Sequence, residues 1–276
     1  MESLWLRPTF SQHFDTVVVD FRWVERGDET TMAKFESWAK ERGLRVVVDF
    51  SSGINLYPDL RLCNNSADEF ERSLNRIQGV LSKMRTLLPT CAKDALFSFH
   101  NAPENYYTEA QCQEDFRYVV DRLNTFVGAN STTWLHLRTG MSKPPSSIAE
   151  AAAYVNGQSR WKIAPDVGLL LSQGLDSAEA LRKALNTTSA DTIGLWLVGA
   201  PMYDPLVPSL LQSTRGRLAD SPDAVVDAVV SLVSVQAGPY STLIMNADLR
   251  PLEATAAQQS DAEFLEVSCL EARWCM

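Results

Sequence analysis

Each short β-branched run in this chain stops at a residue able to do chemistry. Thr16-Val17-Val18-Val19 leads into Asp20, with Arg22 two residues on, and Arg45-Val46-Val47-Val48 leads into Asp49, with Asn55 beyond it. Ala95 to Phe99 ends at His100, followed by Glu104, and Thr133 to Leu137 ends at Arg138. Trp161 to Ala164 is followed by Asp166, the run Thr192 to Val198 carries Trp196, and Ser241 to Met245 ends at Asn246. Asp166, Glu104 and His100 are of the types that move protons between carbon and oxygen. Arg138 is suited to hold an anionic oxygen or one that becomes anionic during a reaction. Asp20, Arg22, Asn55, Trp196 and Asn246 supply the hydrogen-bonding groups and the flat apolar face that a small polyhydroxylated ligand needs. Each of these alone reads equally well as a loop residue satisfied by solvent. Their value lies in convergence, which depends on how the chain places them.

The elements between them follow one rhythm. Apolar residues recur at helical spacing from Thr30 to Arg42, with Gly43 as the stop, from about Ser66 to Leu88, and over about residues 108–127. A further helix starts near Pro145, where Ser147 and Glu150 stand at capping-box spacing. More helices are expected over Ser177–Leu185 and Pro222–Val235, and a last one ends near Arg273. With Leu4-Trp5-Leu6-Arg7 as a first strand, the count is eight strands alternating with helices. Only nine residues separate Leu6 from Thr16, too few for a crossover helix. Alternation throughout predicts a parallel sheet covered by helices in one domain, residues 1–276. Eight units in this length favour a (β/α)8 TIM barrel lacking the helix after strand 1, whose functional residues lie at the C-terminal strand ends. An open doubly wound sheet is the alternative, and no Gly-rich phosphate loop supports it.

Composition bounds the rest. Of 276 residues, 45% are hydrophobic and 21% charged, so the chain can bury an ordinary core and is not disordered. A net charge of −9 repels phosphate backbones, which argues against nucleic acid as a partner. No stretch has the roughly 20 apolar residues of a membrane helix. The five cysteines form no C-x-x-C pair, and the first residues lack the basic and apolar regions of a signal peptide; a cytoplasmic protein is expected.

In order along the chain, several segments resemble the xylose isomerase-like barrel superfamily of sugar isomerases and epimerases. His13-Phe14-Asp15-Thr16-Val17-Val18-Val19-Asp20 resembles its second strand. Gly43-Leu44-Arg45-Val46-Val47-Val48 with Ser51-Ser52-Gly53-Ile54-Asn55-Leu56 resembles its third strand and loop. His100 falls where the fourth strand often offers a histidine. Pro165-Asp166-Val167-Gly168-Leu169-Leu170-Leu171, then Gly174-Leu175-Asp176, resembles its sixth-strand signature. The resemblance implies a divalent cation held by Glu, Asp, His and Glu from strands five to eight. Here those positions read Arg138, Asp166 with Leu169 in place of the histidine, Trp196 in a stretch without histidine, and Asn246. The expectation is therefore no metal ion and no other cofactor, with Asp166 paired to Arg138.

The reading this supports is a divergent sugar isomerase- or epimerase-like barrel that binds a small sugar- or polyol-like ligand. In a catalytic version Asp166, Glu104 or His100 moves the proton and Arg138 stabilises the oxyanion. The alternative is a non-catalytic relative or interaction module of the same fold. A third is a glycoside hydrolase using a pair of carboxylates. The flank lacking a helix would expose apolar surface, which predicts a homodimer or a fusion partner there.

Overall fold

A computed structural model describes residues 16–50, 60, 62, 67–97, 109–139, 147–166, 192–198, 200–203, 211–216 and 242–245. The first strand at Leu4–Arg7, the helices expected at 177–185, at 222–235 and at the end of the chain, and the missing helix after strand 1 all lie outside the described residues.

Five parallel strands form one continuous ladder in sequence order: β1 (Thr16–Asp20), β2 (Arg45–Asp49), β3 (Ala92–Phe97), β4 (Trp134–Thr139) and β5 (Trp161–Pro165). β6 (Leu195–Val198) continues beside β5 through two isolated parallel bridges, Ile163 to Ile193 and Asp166 to Leu197. β9 (Thr242–Met245) pairs in parallel with β6. Its Cα trace in turn approaches that of β1 to within 8 Å. The sheet thus curls back toward its own first strand, as parallel strands joined by helices on one face do.

Helices cover the outer face. α2 (Glu29–Glu41) starts where the Asp28 side chain accepts a hydrogen bond from the Thr31 amide at 2.8 Å. It stops at Gly43, whose φ of 64° is a conformation glycine adopts without strain; the Leu44 amide returns to the Ala39 carbonyl at 2.8 Å. α3 (Ala67–Leu87) buries Phe70, Leu74, Ile77, Leu81 and Met84, a stripe at helical spacing. α4 (Glu109–Val127) and α5 (Ile148–Val155) complete the described layer, and Ser147 caps α5 by accepting from the Glu150 amide at 3.1 Å. Between helices and sheet a row of rings runs Phe21, Phe50, Phe97, Trp161, with successive centroids 5.5, 4.6 and 5.4 Å apart. Each such side chain contributes about 1.5–3 kcal/mol by leaving water, and this apolar layer carries most of the stability. A smaller cluster of Val47, Leu96, Ala164, Leu195 and Leu197 fills the inner face.

The structure corrects four details of the sequence reading. The run from Thr16 ends at Asp20, and Phe21 opens an unforeseen helix, α1 (Phe21–Arg26). Its cause is local: Asp20 accepts from the Arg22 amide at 2.7 Å, while Phe21 and Val24 are buried. β3 starts three residues before Ala95, at Ala92, because Asp94 is drawn into the inner face by ion pairing. β6 starts at Leu195, not Thr192. Residues around Pro201, where the sequence reading placed no strand, form a hairpin of β7 (Ala200–Tyr203) and β8 (Leu211–Gly216). Proline is tolerated there because the register shifts on both sides of Pro201.

Candidate active site

The parallel register decides which side chains share the mouth. Val47, Leu96, Ala164, Leu195 and Leu197 pack together on the inner face. Partners in register share a face, so Asp20 opposite Asp49, and Arg138 opposite Ala164, belong to the same side. Asp166 follows Ala164 by two residues and bridges to Leu197. Asp20, Asp49, Arg138 and Asp166 therefore gather at the C-terminal ends of β1, β2, β4 and β5, where a barrel of this type places its functional groups.

The pairing expected between Asp166 and Arg138 is formed. Arg138 Nε donates to Asp166 Oδ2 at 3.1 Å, and Nη2 donates to the same oxygen. Arg138 is 4% exposed and Asp166 0%, so the pair is removed from solvent. Nη1 of Arg138 makes no hydrogen bond to any other described residue. At the edge of the mouth, Asp20 takes three side-chain hydrogen bonds from Arg22, the shortest from Nη2 at 2.6 Å, and both residues stay about one third exposed. This carboxylate is occupied twice over, as helix cap and as ion-pair partner. Asp49 is buried at the end of β2.

The remaining sequence candidates fall differently. His100, Glu104, Asn55 and Asn246 lie outside the described residues, and of Trp196 only the backbone, within β6, is described. Trp23, just past the end of β1, belongs to the helical layer. It meets Phe35 edge to face at 4.8 Å and packs on the outer core.

Below the mouth lies a polar chain that the sequence did not reveal. Arg45 of β2 donates through Nε and Nη2 to both oxygens of Asp94 in β3, at 2.5 and 2.7 Å. Asp94 Oδ1 also meets His136 Nε2 of β4 at 2.8 Å. Burial pushes the Asp94 carboxyl up, but the hydrogen bonds of His136 and Arg45 and the guanidinium charge outweigh it and hold the group down at about 2. Burial also dominates at His136, whose proton affinity falls below that of free histidine although Asp94 favours the charged ring. The imidazole is accordingly neutral, and Asp94 is anionic beside Arg45. His136 is an interior residue of β4.

The donor set does not fit the divalent ion that the resemblance implies. Arg138 puts a fixed positive charge within hydrogen-bonding distance of Asp166, the one carboxylate matching the ligand pattern. Even two unit charges about 4 Å apart repel by roughly 4 kcal/mol at an effective dielectric near 20, and a divalent ion doubles that. The other positions at which the resemblance implies ligands read Leu169, Trp196 and Asn246 in the sequence.

No family model matches the chain, and no curated protein sequence matches it. Solved structures do. A D-psicose 3-epimerase determined in the presence of D-fructose is similar over 96% of this chain and 93% of its own, at 14% identity and a TM-score of 0.63. A D-tagatose 3-epimerase-like protein matches over 96% and 97% at 11% identity and a TM-score of 0.66. A xylose isomerase domain protein from Planctomyces limnophilus matches over 93% and 89% at 16% identity and a TM-score of 0.64. The chain therefore has the xylose isomerase-like TIM-barrel fold.

Proposed function

We propose that this barrel binds a small sugar- or polyol-like ligand in its C-terminal mouth, and that it does so without a divalent metal ion. The observation that carries the reading is the buried Arg138–Asp166 pair, which occupies strand ends where the fold builds its sites and leaves Nη1 of the guanidinium unbonded among the described residues. That Nη1 is the donor offered to a ligand oxygen, and the anchored carboxylate fixes its direction. Asp20 and Arg22 line the rim as a fixed, mutually satisfied pair, and Asn55, Trp196 and Asn246 are the further binding residues of the same mouth. Asp20 and Asp166 are engaged with Arg22 and Arg138, so in a catalytic version the proton is moved by Glu104 or His100 while Arg138 stabilises the oxyanion. The chain acts as one domain in this reading.

Thermal denaturation with a panel of ketoses, aldoses and polyols tests it, each run with EDTA and with Mg, Mn, Co or Zn. One ligand class should raise Tm by several degrees, because a ligand at 100 times its Kd stabilises by about 2.7 kcal/mol. The rise should be unaffected by EDTA and lost in Arg138→Met. A sugar effect that requires a metal overturns the metal-free reading. Binding without isomerase or epimerase turnover assigns the chain to the non-catalytic class.

A further inference from the structure

The inner polar chain ends in an unusual contact. His136 is 1% exposed and Asp94 0%. A carboxylate only accepts hydrogen bonds, so His136 Nε2 carries the proton toward Asp94 Oδ1 and Nδ1 keeps the lone pair. Nδ1 is buried with no hydrogen-bond partner. What it faces is backbone. A Cβ added to Gly194 would lie 2.5 Å from His136 Cε1, 2.6 Å from Nδ1 and 2.9 Å from Lys162 Cδ. Gly194 is the residue before β6, and its amide donates to the Ile163 carbonyl of β5 at 3.0 Å. That bond belongs to the joint where, among the described residues, a continuous ladder gives way to the two isolated bridges. One imidazole on β4 thus reaches across β5 and props the approach to β6.

We propose that His136 is an acid-sensitive latch on the β5–β6 joint, holding it closed as a neutral imidazole and opening it when protonated. The second proton has only Nδ1 to occupy, where it points at the Gly194 backbone and finds no acceptor. Among the described residues, three charged groups face the ring from the packed strands, Arg45 of β2, Asp94 of β3 and Lys162 of β5, and the Gly194 backbone meets it just before β6. Arg45 and Lys162 oppose a new positive charge, and Asp94 favours it but is already bonded twice by Arg45. Burial, the largest influence, also opposes it. Opening the joint hydrates the ring and restores ordinary histidine behaviour. Protons therefore bind the open form better, and acid draws the population toward it.

Hydrogen exchange and imidazole NMR on the full chain test the latch. Between about pH 7.5 and about pH 5.5, protection factors of the Gly194 and Leu195 amides should fall about tenfold more than those of the β2–β3 ladder. The fall should follow the titration of the His136 ring, observed at high pH as the Nε2–H tautomer. His136→Gln keeps a donor toward Asp94 but does not titrate, so its β6 protection should be flat over this range. Gly194→Ala should show the low protection already at neutral pH. An acid response unchanged in His136→Gln overturns the proposal. So does β6 protection in the unmodified chain that fails to track the ring, a comparison that requires no variant to fold.

Discussion

Arg138 and Asp166 show how far a single side chain is legible in a sequence. Both end apolar runs, so a strand-end rule finds them, and their opposite charges on neighbouring strands predict the pair. Arg45, Asp94 and His136 were not legible, because their partners lie 49 and 42 residues apart and meet only through strand register. Asp94 also stands just before the run Ala95 to Phe99, so the sequence reading left it outside the strand. Removing one member of a buried ion pair strands the other charge, so Arg138→Met should cost about 3–5 kcal/mol in urea denaturation. The double variant Arg138→Met with Asp166→Leu should recover most of that loss. Acid should act in two stages. His136 has its affinity lowered from 6.5 in the fold, so its contribution is complete above that pH and declines below it. Asp94 falls from 3.8 to about 2, so its contribution persists until the pH drops below 3.8 and is lost toward 2. Stability curves for His136→Gln should lack the first decline and keep the second.

At the level of elements, periodicity located α2, α3 and α4, the capping-box spacing located α5, and the short apolar runs located β1, β2, β4 and β5. The helical stripes are long, and the strands are bounded by residues with clear turn or cap chemistry. α1 escaped because its six residues are too short to show a period. It is held by tertiary contacts instead: Arg76 of α3 forms an ion pair with Glu25, and Lys83 donates to the Glu25 carbonyl at 2.5 Å. The β7–β8 hairpin escaped because prolines mask an edge strand. Local caps remain testable one at a time. Ser147→Ala should destabilise the chain by about 1 kcal/mol in chemical denaturation, and Ser147→Gly by only a few tenths.

At the scale of the molecule, the alternation of strands and helices was legible from β1 to β5, and the similarity to solved barrels at 11–16% identity agrees with that pattern. Function is less legible, since a fold of this kind hosts many chemistries and the site decides among them. Among the described residues no helix is long and apolar enough to cross a membrane.

The uneven stitching of the sheet has a mechanical consequence. Among the described residues, five strands are laced edge to edge and share one continuous apolar backing, whereas the lacing to the sixth is two stitches. Under gentle denaturation the C-terminal third should therefore peel away first and leave β1 to β5 standing, so that fluorescence and hydrogen exchange report separate midpoints. A protein built this way has a tear line, and proteases working on the partly loosened chain should find it before they find anything else.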